Sequence, residues 1–250
     1  MPRVRLDTLL HTRGLVDSRT RGRALILAGQ VRVNGQTATK AGTLVSANAD
    51  VTLDQPDHPY VGRGGVKLAH ALDELGIDPT GAVALDIGAS TGGFTDVLLR
   101  RGARTVVALD VGHGQLAWSL RRDPRVVVLE RVHIATVAPE TLPPAQRRFD
   151  IITVDVSFIS IRYFIGRLPM LLRPDGDLVA LVKPQFEAGR AEVGRGGLVT
   201  NPEVHARVVA AVATEAAEVG LTRVAMTPSP ITGAEGNREF FLHLRHTAET

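Results

Sequence analysis

Leu85-Asp86-Ile87-Gly88-Ala89-Ser90-Thr91-Gly92-Gly93-Phe94-Thr95-Asp96 runs from an apolar strand through a glycine turn into the start of a helix. Glycines let the backbone approach a ligand closely, and the helix N-terminus beyond them offers free N–H groups. A dinucleotide reader requires G-x-G-x-x-G at such a turn. Here Gly88 is followed by Gly92-Gly93, so no pyrophosphate cradle is implied. The acid at the strand end, Asp86, suits a ligand that carries an amino group.

Outward from this turn, helical and strand patterns alternate. Gly64 to Gly76 reads as an amphipathic helix with Val66, Leu68, Leu72 and Leu75 apolar. Strands are predicted at 82–87, 104–110, 125–130, 150–155, 177–183, 221–228 and 238–245, and helices at 92–101, 115–121, 159–172 and 202–219. Near-continuous Val/Ile/Leu strands between helices indicate an α/β fold with a doubly wound, Rossmann-like parallel sheet. The last two strands have no helix between them and should form an antiparallel hairpin. Six parallel strands with a reversed seventh is the arrangement usual for Rossmann-like methyltransferases. Ligands of such sheets bind at the carboxyl ends of the strands. Asp110, followed by Val111, ends the second strand, where a carboxylate can accept bonds from ribose hydroxyls. Glu130, followed by Arg131, ends the third, near an adenine. The expected ligand is S-adenosyl-L-methionine, held by Asp86, Gly88, Ser90, Thr91, Gly92, Gly93, Phe94, Asp110, Val111, Glu130, Arg131 and Asp155. A tight turn with helix-capping acids would explain one such acid, but not acids at consecutive strand ends.

Composition bounds the rest. The 250 residues are 44% hydrophobic and 22% charged, which is ordinary globular composition. With no cysteine there is no disulfide scaffold, thiolate catalysis or cysteine zinc site, and no metal site is expected. The start, MPRVRLDTLL, lacks the apolar core of a secretory signal. The most apolar long stretch, Ile151 to Leu172, is interrupted by Asp155, Arg162 and Arg167, so no membrane span is expected and a cytoplasmic protein is. Charge divides unevenly. Residues 1–54 hold eight Lys and Arg against four Asp and Glu, whereas the remainder holds 21 against 22. A small basic module on a near-neutral body suggests a polyanion-binding arm. This reading gives three parts: a small α+β module over 1–54, a polar linker over 55–62, and a large domain over 63–250. In the module, helices are predicted at 5–12 and 18–28, the second capped by Asp17 or Ser18. A strand enters the Asn34-Gly35 turn, and another follows near 43–53.

Of the 29 basic side chains only Lys40, Lys67 and Lys183 are lysine. Compositional bias replaces Lys by Arg wherever charge alone matters, so retained lysines are candidates for chemistry that arginine cannot perform. An alcohol acceptor of a methyl group needs a partner to carry off its proton. A lysine can do this where burial and cationic neighbours lower its pKa, and arginine cannot. Lys67 falls in the helix before the sheet and Lys183 just past the strand Leu178–Val182. Asp155 ends its own strand and Glu239 enters the last one; Asp155 and Lys183 are expected at the carboxyl ends of neighbouring strands and so should converge on the same crevice as the glycine turn.

The motifs resemble, over nearly the whole chain, the TlyA (hemolysin-like) family of ribosomal RNA 2′-O-methyltransferases. The matching segments are Tyr60 to Leu68, Asp86 to Phe94, Val154 to Ser160, Lys183 to Arg190, Val193 to Gly197 and Gly233 to Phe240. The large domain resembles FtsJ-type 2′-O-methyltransferases, and their Lys-Asp-Lys-Glu set falls on Lys67, Asp155, Lys183 and Glu239. The resemblance implies Lys183 as base, Asp155 and Lys67 tuning it, and Glu239 orienting the ribose. The N-terminal module resembles the alpha-L RNA-binding domain of several ribosomal proteins. It implies phosphate contacts by Arg19, Arg21 and Arg23, with Arg3, Arg5 and Lys40 adding charge. The implied partners are ribosomal RNA and ribosomal subunits, the implied acceptor a cytidine ribose in 16S or 23S rRNA. No membrane partner is implied, and a monomer is compatible with the chain. Two departures stand out: Val132-His133-Ile134-Ala135 replaces the family's Thr-Asn-x-Arg, and Gly62 replaces its Ser.

Other readings fit less well. Base methylation would want an Asn/Asp-Pro-Pro-aromatic segment after the fourth strand, and Asp155-Val156-Ser157-Phe158 is not one. A membrane-active hemolysin would want a span, a signal or a basic amphipathic helix. An RNA-binding protein with an inactive methyltransferase fold is opposed by the intact Lys-Asp-Lys-Glu set.

Overall fold

The computed structural model describes residues 3–16, 18–27, 29–53, 58–233 and 236–246. Asp17, residues 55–57 of the expected linker, and Ala234 and Glu235 of the last matching motif lie outside them. The chain divides into two compact units, Met1–Pro59 and Tyr60–Thr250.

In the first unit, β1 (Arg3–Arg5) leads into α1 (Leu6–Thr12), and α2 (Arg19–Leu27) packs against α1. Then come β2 (Val31–Val33), β3 (Gln36–Thr37), β4 (Leu44–Ser46) and β5 (Val51–Leu53). The β2–β3 hairpin turns on Asn34 and Gly35, both at positive φ (50° and 79°), as the Asn-Gly pair predicts. The single strand expected near 43–53 is instead two: β4 pairs with β1, and β5 pairs with β2. The turn between them is held by Arg13, whose guanidinium donates to the carbonyls of Ala47 (2.6 Å) and Ala49 (2.8 Å). Leu6, Leu10, Ile26 and Val31 are fully buried at the centre of this unit.

The second unit opens with α3 (Gly64–Leu75), which Gly76 ends in the left-handed conformation common after a helix. β6 (Val83–Ile87), α4 (Gly93–Arg100), β7 (Thr105–Asp110), α5 (Trp118–Arg121), β8 (Val126–Glu130) and β9 (Phe149–Val154) follow. α6 (Leu168–Leu171), β10 (Leu172–Val182), α7 (Pro184–Glu187), α8 (Pro202–Glu218), β11 (Leu221–Pro228) and β12 (Phe240–His246) complete it. The sheet order is β11-β12-β10-β9-β6-β7-β8. β12 runs antiparallel to both its neighbours, so the reversed strand is inserted between β10 and β11 rather than added at the rim. Apolar side chains on one face pack with α3 and α4 around Phe94, Leu98 and Phe241; those on the other pack with α6 and α8 around Phe149, Phe164 and Leu168. Both faces are covered, which is why the strands lack polar alternation.

The helix expected over 159–172 is broken into two short 3-10 turns and the four residues of α6. Gly166 and Pro169 interrupt it. Glycine has a high helical cost, and proline donates no backbone hydrogen bond. The apolar residues of this stretch still serve the core.

Gly93 sets the approach of α3 to α4. A Cβ there would lie 2.9 Å from the Gly65 nitrogen and 3.1 Å from the Gly64 Cα, both immovable backbone atoms. Gly93→Ala should therefore separate the two helices and destabilise the protein by about 1–3 kcal/mol in chemical denaturation. An unchanged midpoint would show that the helices part without cost.

Candidate active site

β6 sits where the strand order reverses: the chain continues to β7 and β8 on one side and to β9 and β10 on the other. The crevice outside β6 and β9 is where such a sheet binds ligands. Gly88 makes it possible. Its φ is +84°, and a Cβ there would stand 2.3 Å from the Asp155 carbonyl oxygen. Beyond this pinch the backbone opens into a cavity of about 560 Å³ lined by Gly88, Ser90, Asp110, Val111, Asp155 and the 156–159 segment.

The turn residues divide by role. Gly88 and Ser90 border the cavity, whereas Thr91, Gly92, Gly93 and Phe94 do not. Gly92 has φ +96° and lies against Leu116 and Leu120, where a Cβ would be 2.2 Å from Leu120 Cδ1. Phe94 packs on Phe241, ring centroids 6.0 Å apart. Thr91 lies under Gly62, where a Cβ would stand 2.8 Å from the Thr91 hydroxyl. A side chain at position 62 would have to displace that hydroxyl, which Gly62 leaves in place.

The strand-end acids separate as well. Asp110 accepts the amides of Ser90 (2.8 Å) and Gly112 (2.6 Å), one on each oxygen, and keeps lone pairs for ligand hydroxyls. Glu130 is spent on the protein itself: Arg121 (2.5 Å), Gly114 N–H (2.9 Å) and His113 close on it, fixing the loop after Val111. The hydrogen bond from Arg121 holds Glu130 below the usual carboxylate range. Arg131 follows in a left-handed conformation, and neither it nor Glu130 lines the main cavity. Asp86 is wholly buried under α4 and accepts hydroxyl bonds from Thr95 (2.6 Å) and Thr153 (3.1 Å). It supports the turn from beneath and does not reach the cavity, and burial pushes its carboxyl up to about 7.

The four residues of the expected catalytic set form two ion pairs. Lys67 Nζ meets Glu239 Oε2 at 2.5 Å, and Lys183 Nζ meets Asp155 Oδ1 at 2.5 Å. Lys67, Lys183 and Glu239 are at most 9% exposed. Lys183 also donates to Ser157 Oγ at 3.0 Å, whereas its approach to Asp155 is electrostatic rather than a well-aligned hydrogen bond. Val182 pairs with Phe240, so the register continued by one residue sets Lys183 opposite Glu239. Gly233 lies over Glu239, where a Cβ would be 2.5 Å from Oε1.

Several contributors carry no motif signal of their own. Gln115 and His133 line the cavity. The His133 imidazole accepts the Ala135 amide at 3.1 Å, capping the short turn that follows. Glu187 clasps the segment after Asp155 through Ser160 Oγ (2.5 Å) and the Ile161 amide (2.8 Å); burial raises its carboxyl despite these bonds. Only its place in Lys183-Pro184-Gln185-Phe186-Glu187 marks it.

In the N-terminal unit, Arg5 grips Asp7 through two nitrogens (3.0 and 2.7 Å), and Arg19 approaches the same carboxylate at 3.6 Å. The bond from Arg5 holds Asp7 at about 2. Arg5 and Arg19 thus brace the start of α1. Arg3, Arg21, Arg23 and Lys40 are exposed, with no ion pair among the described residues.

Residues 60–246 match the FtsJ-like methyltransferase family, and residues 4–51 match the S4 domain. Fold and site together define a methyltransferase with an attached S4 module, and its methyl donor is S-adenosyl-L-methionine. The residues fit that molecule: Gly88 leaves the strand end open to a close ligand, Asp110 offers acceptors for hydroxyls, and Ile87, Leu109 and Ile134 supply apolar walls. The chain is 48% identical to the 16S/23S rRNA (cytidine-2′-O)-methyltransferase TlyA of Mycobacterium tuberculosis, over 97% of this chain and 90% of that protein. It is 39% identical to Hemolysin A of Brachyspira hyodysenteriae, over 96% of this chain and 99% of that protein. A solved structure from Streptococcus thermophilus, described as a hemolysin, superposes with a TM-score of 0.77 at 38% identity, covering 100% of this chain and 90% of that one. The chain belongs to the TlyA family of rRNA methyltransferases. Among the described residues no helix is long and apolar enough to cross a membrane.

The raised Asp86 makes a pH prediction. Between its unfolded value near 4 and its folded value of about 7, the folded protein holds a proton that the unfolded chain releases. Unfolding free energy therefore falls as pH rises through that window. Asp86→Asn should match the parent near pH 4 and gain on it towards pH 8, by up to about 4 kcal/mol. Parallel stability–pH curves for the two proteins in urea would show that Asp86 is not the proton holder.

Proposed function

We propose that this chain transfers the methyl group of S-adenosyl-L-methionine to the 2′-hydroxyl of a cytidine in ribosomal RNA, acting in the cytoplasm on 16S rRNA, 23S rRNA or both. The observation that carries this reading is the pair of ion pairs, Lys67–Glu239 and Lys183–Asp155, of which Asp155 lines the cavity and the other three residues are buried behind it. The name of the Mycobacterium tuberculosis relative supports the nucleotide and the atom.

When bound, the cofactor supplies an electrophilic sulfonium methyl. Gly88 and Ser90 border its place, and Asp110 receives the ribose hydroxyls. Lys183, acting as a neutral amine, takes the proton of the acceptor hydroxyl as the new carbon–oxygen bond forms and the methyl–sulfur bond breaks. Asp155 and Ser157 hold the lysine in place. Lys67 fixes Glu239, whose other oxygen, under Gly233, orients the acceptor ribose. In the S4 unit, the exposed Arg3, Arg21, Arg23 and Lys40 contact RNA phosphates, with Arg5 and Arg19 contributing positive field from the Asp7 cluster.

Labelled methyl transfer to purified 30S subunits, 50S subunits and naked rRNA, followed by nucleoside digestion, tests the reaction and identifies the substrate. Label in 2′-O-methylcytidine is the expected outcome; label on a base would overturn it. Lys183→Arg should retain cofactor affinity and lose transfer by about two to four orders of magnitude, the usual contribution of a proton-transfer group. A near-parental rate would remove Lys183 as the base.

A further inference from the structure

The strand that brings Glu239 into the site presents a different surface on its other face. Alternation along Arg238-Glu239-Phe240 sends Glu239 towards Lys67 on α3 and its two neighbours towards α8. There Arg223, Met226, Arg238 and Phe240 border a groove of about 290 Å³ against α8. The Phe240 ring lies 5.4 Å from the ring of His205 and 5.9 Å from the Arg238 guanidinium. Met226 is 41% exposed on β11, the outermost strand of the sheet.

The groove is positively charged, since its lining holds two arginines and no acid. Arg223 and Arg238 have no acidic partner among the described residues, yet both border the same recess. Two uncompensated guanidinium groups beside an aromatic ring and an exposed thioether match a single-stranded nucleotide, with its phosphate on the arginines and its base on the apolar floor. Position agrees: Phe240 pairs with Val182, so the groove begins one residue from Lys183 at the same end of the sheet.

We propose that this groove is a second RNA subsite, holding a nucleotide of the strand whose neighbouring ribose enters the catalytic cavity. The proposal rests on RNA being the substrate. It assigns Arg223 and Arg238 to phosphate, and Phe240 and Met226 to the base.

The test uses the full chain on naked rRNA and on ribosomal subunits. Arg223→Ala/Arg238→Ala should raise KM about tenfold and lower the slope of log affinity against log salt by about two, one for each lost phosphate contact. Phe240→Leu should raise KM several-fold with the salt slope unchanged, because stacking releases no counterions. For both variants kcat and S-adenosylhomocysteine affinity by calorimetry should stay at parental values, which also certifies folding. Parental KM and salt slope in the double variant would overturn the subsite. A raised KM on subunits with a parental KM on naked rRNA would assign the groove to a ribosomal protein and equally overturn it. If the parent chain binds cofactor but methylates no RNA, the underlying reading fails instead, so the two failures are distinct.

Discussion

The backbone contact between the ends of β6 and β9 governs the geometry of the whole active site. Ile87 pairs with Val154, and the Asp155 amide donates to the Ile87 carbonyl at 2.9 Å, so the two strands remain bonded to their last residues. Past that point they must diverge, one into α4 and the other into the 155–161 segment. Gly88 makes the divergence abrupt, because it takes a positive φ and brings no side chain against the Asp155 carbonyl. The cavity is the space opened by this divergence. Asp155, held at the pinch, is thereby aimed at Lys183, which β10 delivers one strand away. A side chain at position 88 would push the Asp155 carbonyl aside and carry the Lys183 pair with it.

Much of the fold is legible in the sequence for a physical reason: parallel strands buried on both faces must be apolar without alternation, and β6, β7, β9 and the Leu178–Val182 half of β10 largely are. Where apolar content does not distinguish a helix from an irregular core segment, the reading fails. Residues 159–172 bury Ile161, Phe164, Ile165 and Leu168, as a helix would, but Gly166 and Pro169 deny them a continuous one. The stretch 43–53 reads as one strand because its turn depends on Arg13, more than thirty residues away in sequence, satisfying the Ala47 and Ala49 carbonyls. Long-range caps of this kind leave no local mark.

The same limit applies to the site. Asp86, Asp110 and Glu130 are all acids near strand ends, and sequence cannot rank them. Side-chain direction decides: Asp86 faces the α4 layer and is bonded by threonines, Asp110 faces the loop and keeps free lone pairs, and Glu130 is taken by Arg121. Lys67 and Lys183 stand out in the sequence because arginine replaces lysine nearly everywhere else in this chain. Ser157, Gln115 and His133 do not, since turn geometry alone brings them to the cavity.

The two ion pairs are poor devices for stability. Removing two charges from water costs several kcal/mol per ion, and apolar replacements of similar volume are often as stable or more so. Lys67 and Glu239 are nonetheless both buried, Lys67 on a helix whose other buried residues are apolar and Glu239 one residue before β12. A fold selected for stability alone would fill those positions with leucine. Glu239 instead keeps an oxygen beneath Gly233, where only a hydrogen atom intervenes and a Cβ would not fit. In such desolvated surroundings a fixed carboxylate orients a hydroxyl strongly, which is the role we propose for Glu239. Packing alone gives no return for the cost of burying the pair.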